Sequence, residues 1–195
     1  MNTEAILPKE KIILAAIECI NRDGIQKVTT RSIAKQADVN SAAINYYFGT
    51  KDKLLAIALG RTLDEMSKMP EEILDSQDLS PCLRLEAFFT AVFDGVVLWP
   101  GITKAHFYPP FLENDFDSPS VRRINDFLES ITEKITGLEM KDPDINLKTA
   151  LIQIMSAIVF PGIMPGMFDQ FSRIDFKDAA ARKAYVSDLI GRYFV

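Results

Sequence analysis

Apolar residues recur every third or fourth position through most of this chain, and nowhere in a sustained every-other-residue alternation. A period near 3.6 lets a helix bury one stripe, whereas a half-buried strand needs a period of two. The fold class expected is therefore all-α. Composition agrees with a packed chain: 48% of the residues are apolar, and the 9 Gly and 10 Pro are too few for a fibrous or disordered class. A length of 195 residues allows one large or two small domains.

The punctuation of the stripes is densest near the start. Lys9 to Arg22 carries Ile12, Ile13, Ala16, Ile17 and Ile20 on one face, and Gly24 stops it. Thr29 then reads as the N-cap of a short helix from Thr30 to Ala37 that buries Ile33 and Ala34. Asp38-Val39-Asn40 is a tight turn, and Ser41 is read as the cap of a second short helix, Ala42 to Phe48. After Gly49-Thr50 a longer helix runs from Lys51 through Met66 toward Leu74. Later helices begin at Ser80-Pro81 and Ser118-Pro119, each an N-cap followed by Pro at the first helical position. Another begins at Asp144 or Asn146, and the last spans about Asp178 to Phe194.

Two short helices joined by a turn of a few residues form a helix-turn-helix pattern, whose second helix enters the major groove of DNA. The second helix here carries an unusual outer face. Ile44 and Phe48 take the buried side, leaving Ser41, Ala42, Asn45, Tyr46 and Tyr47 uncharged and rich in hydrogen-bonding groups. Asn can pair with adenine N6 and N7, Ala can meet a thymine methyl, and tyrosine hydroxyls can contact phosphate. Lys51 adds a cation, and Thr29, Thr30 and Arg31 add an anion-attracting helix N-terminus. These nine residues are the candidate DNA-binding set.

The stretch "ILAAIECINRDGIQKVTTRSIAKQADVNSAAINYYFGTKDKLLAIAL" resembles the N-terminal domain of TetR-family transcriptional regulators. Ile33-Ala34, Val39, the Ile44 to Phe48 block, and Lys51 with Leu54 follow the family's order and spacing over about residues 9–60. Asp38 stands where the family usually has Gly, and Asn45 where it usually has Tyr. Asp tolerates the left-handed backbone such a turn requires. The resemblance implies a helix-turn-helix DNA-binding domain, here residues 1–50, and a helical ligand-binding and dimerisation domain, here 51–195. It implies a homodimer that binds a double-stranded DNA operator as a repressor and leaves it when a small molecule binds. The last two helices, about Ile145 to Phe160 and the one with Tyr185, Leu189 and Tyr193, have more apolar surface than one small domain needs, so joining through them is expected.

Charge is distributed in keeping with that expectation. The net charge is −5, yet residues 1–50 hold six basic and five acidic side chains, and the remainder holds 16 and 22. The acidity lies away from the segment expected to meet a polyanion. Cys19 and Cys82 have no metal-ligand spacing and suggest a reducing, cytoplasmic compartment, with Cys19 a buried small hydrophobe. "MNTEAILPKEK" lacks a basic segment followed by an apolar one, so no signal peptide is expected. Thr149 to Phe168 is uncharged over a near-bilayer length, but Pro161, Gly162, Pro165 and Gly166 break its second half, so a buried helix followed by a break is expected rather than a membrane span.

For an apolar or aromatic effector, the informative segment is "WPGITKAHFYPPFLEND", with the only Trp and the only His of the chain. Trp99, His106, Phe107, Tyr108 and Phe111 are candidate lining residues, with Phe89, Phe93, Met155, Met164 and Phe168 completing the walls. The Pro109-Pro110 pair is expected to interrupt helical hydrogen bonding there. No cofactor, metal or catalytic residue is expected: there is no nucleophile elbow, no metal spacing and no Gly-rich phosphate loop. A carboxylate pair such as Glu113 and Asp115 could in principle do acid–base work, and exposed loop charge is the simpler account of them. The alternatives to a DNA-binding regulator are a helical small-molecule-binding protein and a protein–protein module that has lost DNA.

Overall fold

Helix boundaries in the computed structural model follow the capping chemistry of the sequence. The model describes residues 7–135 and 137–195; the first six residues, on which the signal-peptide reading partly rests, lie outside that range. Its helices are α1 (Pro8–Asp23), α2 (Thr30–Ala37), α3 (Ser41–Phe48), α4 (Lys51–Asp75), α5 (Pro81–Leu98), α6 (Pro100–Tyr108), α7 (Pro119–Lys134), α8 (Leu147–Ile163), the single turn α9 (Asp169–Ser172) and α10 (Ala179–Tyr193). Among the described residues the only β feature is an isolated bridge between Met140 and Phe194, so the protein is all-α. No single helix among them is long and apolar enough to cross a membrane.

The chain forms two compact units. The first comprises Met1–Glu65 with Gly101–Ser120, and the second Met66–Pro100 with Val121–Val195. The sequence reading placed one division after residue 50; here α4 contributes to both units and a segment from mid-chain joins the first.

In the first unit, α1 packs on α2 and α2 on α3. Ile12, Ala16, Ile20, Ile33, Ile44, Leu54 and Ala58 are all buried in one largely aliphatic core, in which Phe48 is the single aromatic ring among the described residues. Ile102 and Ala105 of α6 belong to the same core. Asn21 of α1 caps α6: its Oδ1 accepts from the Gly101 N–H at 3.0 Å and the Ile102 N–H at 3.4 Å. Only Gly fits at that crossing, because a Cβ on residue 101 would lie 2.2 Å from the Asn21 carbonyl oxygen. At its far end, Tyr108 Oη accepts from Gln26 Nε2 at 2.8 Å.

The second unit packs α5 against α8 and α10. Its core holds Phe88, Phe89, Phe93, Phe176 and Phe194 with Leu85, Ile131, Ile154, Ile158, Val186 and Ile190. A buried cation is anchored there: Arg182 donates from Nε to Asp94 Oδ1 at 2.5 Å, and from Nη1 to the Phe176 and Lys177 carbonyls at 2.9 Å each.

Three local expectations are corrected. The first concerns residues 100–113, which form α6 and then one wide π-helical turn, Pro109–Glu113, instead of a break. Pro100 sits at the helix start, where its missing N–H is not needed, and the wide turn absorbs the Pro pair. Asn114, at φ 53°, ends it with its N–H on the Pro109 carbonyl. In α8, Pro161 lies inside the helix, which ends at Met164. Pro161 leaves the Ala157 carbonyl without its helical N–H, and Tyr185 Oη donates to that carbonyl instead, at 3.3 Å. Lastly, Asn40, not Ser41, caps α3: its Oδ1 accepts from the Ala42 N–H at 2.8 Å.

Candidate nucleic-acid interface

α2 begins with a reciprocal cap. Thr29 Oγ1 accepts from the Ser32 N–H at 3.0 Å, and Ser32 Oγ accepts from the Thr29 N–H at 3.0 Å. The first N–H groups of a helix have no intrahelical acceptor, so this turn presents the positive end of the α2 dipole. Thr29 and Arg31 are exposed, and Thr30 is half-buried. Lys51 brings a second positive group to the same place, donating from Nζ to the Val28 carbonyl at 3.2 Å. Two positive ends held this close are both relieved by an anion, the arrangement that phosphate sites at helix N-termini use.

Between α2 and α3 the chain turns on Asp38, whose φ of 53° and ψ of 51° are left-handed. Its N–H closes α2 on the Ala34 and Lys35 carbonyls. The turn expected of a Gly is thus made by Asp, whose short polar side chain lowers the steric cost.

α3 is held by two buried anchors one turn apart, Ile44 and Phe48. Full burial of each contributes about 1.5–3 kcal/mol. Gly49, at φ 76°, ends the helix with its N–H on the Asn45 carbonyl. With that side fixed, Ser41, Ala42 and Asn45 are exposed, Tyr46 is 82% exposed and Tyr47 is 39% exposed. The Tyr46 and Tyr47 rings meet edge to face at 5.0 Å, and Tyr47 leans on Phe48 at 6.4 Å. Tyr47 is therefore steadied by packing while Tyr46 projects. All nine candidate DNA-binding residues lie in the first unit.

Sequence reasoning missed Asn40, which sets where α3 begins, and Ser32, the reciprocal partner of the Thr29 cap on α2. For Asn40 a signal was present, but neighbouring Ser41 is an equally good cap former; Ser32 stands where a capping box usually has Glu or Gln.

The family profile for bacterial regulatory proteins of the TetR type matches residues 12–57, the stretch that builds α1, α2, α3 and the start of α4. Residues 12–57 are thus similar to the N-terminal domain of TetR-type regulators. The chain is 30% identical over 70 residues to a helix-turn-helix-type transcriptional regulator of Saccharopolyspora erythraea, covering 36% of this chain and 29% of that one. It is 28% identical over 78 residues to the nicotine-responsive transcriptional repressor HdnoR of Paenarthrobacter nicotinovorans, covering 40% of each. The chain thus spans well under two thirds of the length of these relatives. In fold it is similar to the ketosteroid transcriptional regulator KstR2 of Mycobacterium tuberculosis, with a TM-score of 0.66 at 17% identity over 98% of this chain and 97% of that one.

Outside the TetR domain, the candidate effector-lining residues are divided between the two units. His106, Phe107, Tyr108 and Phe111 belong to the first unit, and Phe89, Phe93, Trp99, Met155, Met164 and Phe168 to the second. Phe89 and Phe93 are fully buried core, whereas Phe111 and Trp99 are exposed. His106 is engaged locally. Thr62 Oγ1 gives its hydrogen to the Leu59 carbonyl at 2.8 Å, so its 2.9 Å contact with His106 Nε2 has the imidazole donating. Nδ1 is then the acceptor, facing Ser120 Oγ at 3.4 Å. Burial holds the imidazole neutral, its pKa pushed down to about 4. The second unit does contain an open cavity of about 320 Å³, and of the ten candidates only Phe168 lines it. Its other walls come from α8, α9, α10 and the residues between them.

Proposed function

We propose that this protein is a homodimeric, sequence-specific DNA-binding transcriptional repressor that releases its operator when a small apolar or aromatic molecule binds. The observation that carries the reading is the outer face of α3. Ile44 and Phe48 lock one side of the helix, and the opposite side offers a carboxamide, a projecting phenol and two small residues without a single charge. That face suits base edges, while Lys51 and the α2 N-terminus suit the flanking phosphates.

Dimerisation through α8 and α10 is supported by their uncovered sides. Ile152 and Phe160 stand 57% and 44% exposed on α8. Ala180, Ala184, Ser187 and Gly191 leave a shallow exposed track along α10. Ridges beside a track of small residues suit a second copy packing as a four-helix bundle about a two-fold axis. A small-molecule effector is supported by the cavity in the second unit and by the nicotine response that the relative's name records.

The test is a gel-shift titration against the DNA upstream of the protein's own coding sequence. The folded wild-type protein is expected to retard a discrete fragment. Asn45→Ala is expected to lose about 1–3 kcal/mol on that fragment and little on unrelated DNA. Lys51→Ala is expected to weaken all DNA alike and to lower the salt slope by about 1. Folded protein that retards no fragment at low salt overturns the proposal.

A further inference from the structure

α8 contains a residue that a helix does not hold without consequence. Pro161 has no N–H, so the carbonyl of Ala157, four residues back, receives no helical bond. Tyr185 of α10 takes the missing donor's place, its Oη donating to that carbonyl at 3.3 Å. Burial raises the Tyr185 pKa, which keeps the phenol protonated and able to donate. Its one hydrogen is thereby spent, and no donor approaches the phenol oxygen's lone pairs among the described residues.

Ala157, Pro161 and Tyr185 all line the cavity of about 320 Å³, together with the rings of Phe160, Phe168 and Phe176. The remaining polar groups of the wall are spent in the same way. Ser156 Oγ donates to the Ile152 carbonyl at 2.8 Å, and Ser172 Oγ donates to the Phe168 carbonyl at 3.0 Å. The cavity therefore offers oxygen acceptors without a free side-chain donor, and no charged side chain lines it. An anion entering it would lose its hydration with nothing to replace it, and a cation would meet no carboxylate. The volume is near the lower end of the ~300–1,000 Å³ range of ligand sites, which suits one or two fused rings rather than a long chain.

We infer that this cavity binds an uncharged, mainly aromatic small molecule carrying one hydrogen-bond donor, which the phenol oxygen of Tyr185 accepts. Calling that molecule the effector rests on the regulator reading above; the binding itself does not, and it is measured without DNA.

Isothermal titration of the full-length protein uses three probes on one ring system: 2-naphthol, which has a donor; 2-methoxynaphthalene, which has none; and 2-naphthoate, which is charged. One 2-naphthol is expected to bind per chain, about fivefold or more tighter than 2-methoxynaphthalene, the worth of one net hydrogen bond. 2-Naphthoate is expected to bind at least about tenfold more weakly than 2-naphthol. Tyr185→Phe keeps the ring and removes the acceptor, so the naphthol preference should shrink to within about twofold. Because that change also unpairs the Ala157 carbonyl, the Pro161→Ala/Tyr185→Phe double variant, which restores a backbone N–H to it, must show the same loss. Ala157→Leu, which fills the cavity, should abolish binding. A preference that survives Tyr185→Phe, naphthoate binding as tight as naphthol, binding unchanged in Ala157→Leu, or no binding of any probe to folded protein each overturns the inference. A parallel gel shift without ligand separates the two claims: DNA binding with no probe discrimination sinks the cavity site alone, and discrimination with no DNA binding sinks the regulator reading alone.

Discussion

The two units solve the packing problem with different materials. Among the described residues, the first unit's core holds a single ring, Phe48, among Ile, Ala, Val and Leu with Cys19, and its helix ends are fixed by side-chain caps at Thr29, Asn40 and Asn21. The second unit's core is built around Phe88, Phe89, Phe93, Phe176 and Phe194, and it leaves a cavity open at one side. Small branched side chains have few rotamers and fill space evenly, so they hold neighbouring helices at one spacing. Large rings leave gaps between them that a guest of similar shape can occupy. A surface that must match a duplex calls for the first kind of core, and the small-molecule site proposed above calls for the second.

The sharpest way to break this contrast is to add one methyl group to a glycine in each unit. In Gly101→Ala the new Cβ meets backbone, the Asn21 carbonyl at 2.2 Å and its Cα at 2.6 Å, neither of which can rotate away. Denaturant unfolding should show a loss of about 3 kcal/mol or more, the upper end for overpacking. An unchanged midpoint would mean that α1 and α6 are not held at that distance.

His106 gives the next largest effect and a definite sign. Its pKa in the folded protein is pushed down to about 4, below its ordinary value of 6.5. Stability is therefore full above about pH 6.5 and falls as pH drops toward 4, because the unfolded chain takes up the proton first. The loss over that window should approach about 3 kcal/mol at ~1.4 kcal/mol per pH unit. Urea midpoints measured from pH 7 to pH 4 in wild-type and His106→Gln should diverge, with the variant lacking this component.

Gly162→Ala is the second unit's counterpart to Gly101→Ala. Its Cβ would meet the Val96 side chain at 2.5 Å and 3.1 Å. A side chain beside a roomy core can yield, so a loss of about 1–2 kcal/mol is expected, smaller than at Gly101. If Gly162→Ala proves the costlier of the two, the contrast between the units is wrong. The smallest effect is at Thr29, where Ala removes the side-chain half of the α2 cap and should lower stability by about 1 kcal/mol.

What the sequence made legible follows the same division. The limits of α2 were readable to the residue, because Thr29 starts it and Asp38 can hold the left-handed turn that stops it. The exposed side of α3 followed from two apolar residues four apart. α6 was not readable, since Pro109-Pro110 signals a break and nothing local says that a π turn will absorb it. Nor did composition show that Phe89 and Phe93 would be sealed in the core while Phe160 and Phe168 edge an opening, because helical spacing is the same in both cases. Rings that line a cavity and rings that fill a core differ only in what the rest of the chain brings to them.

The membership of α6 in the first unit bears on the order in which a growing chain can settle. Ile102, Ala105 and the Asn21–Gly101 cap all complete that unit from beyond Met66–Pro100. Those 35 intervening residues take about 2–7 s to synthesise at ~5–20 residues per second. Through that interval the ribosome carries α1, α2 and α3 with one side of their core still open to water, and the segment that seals it is still to be translated.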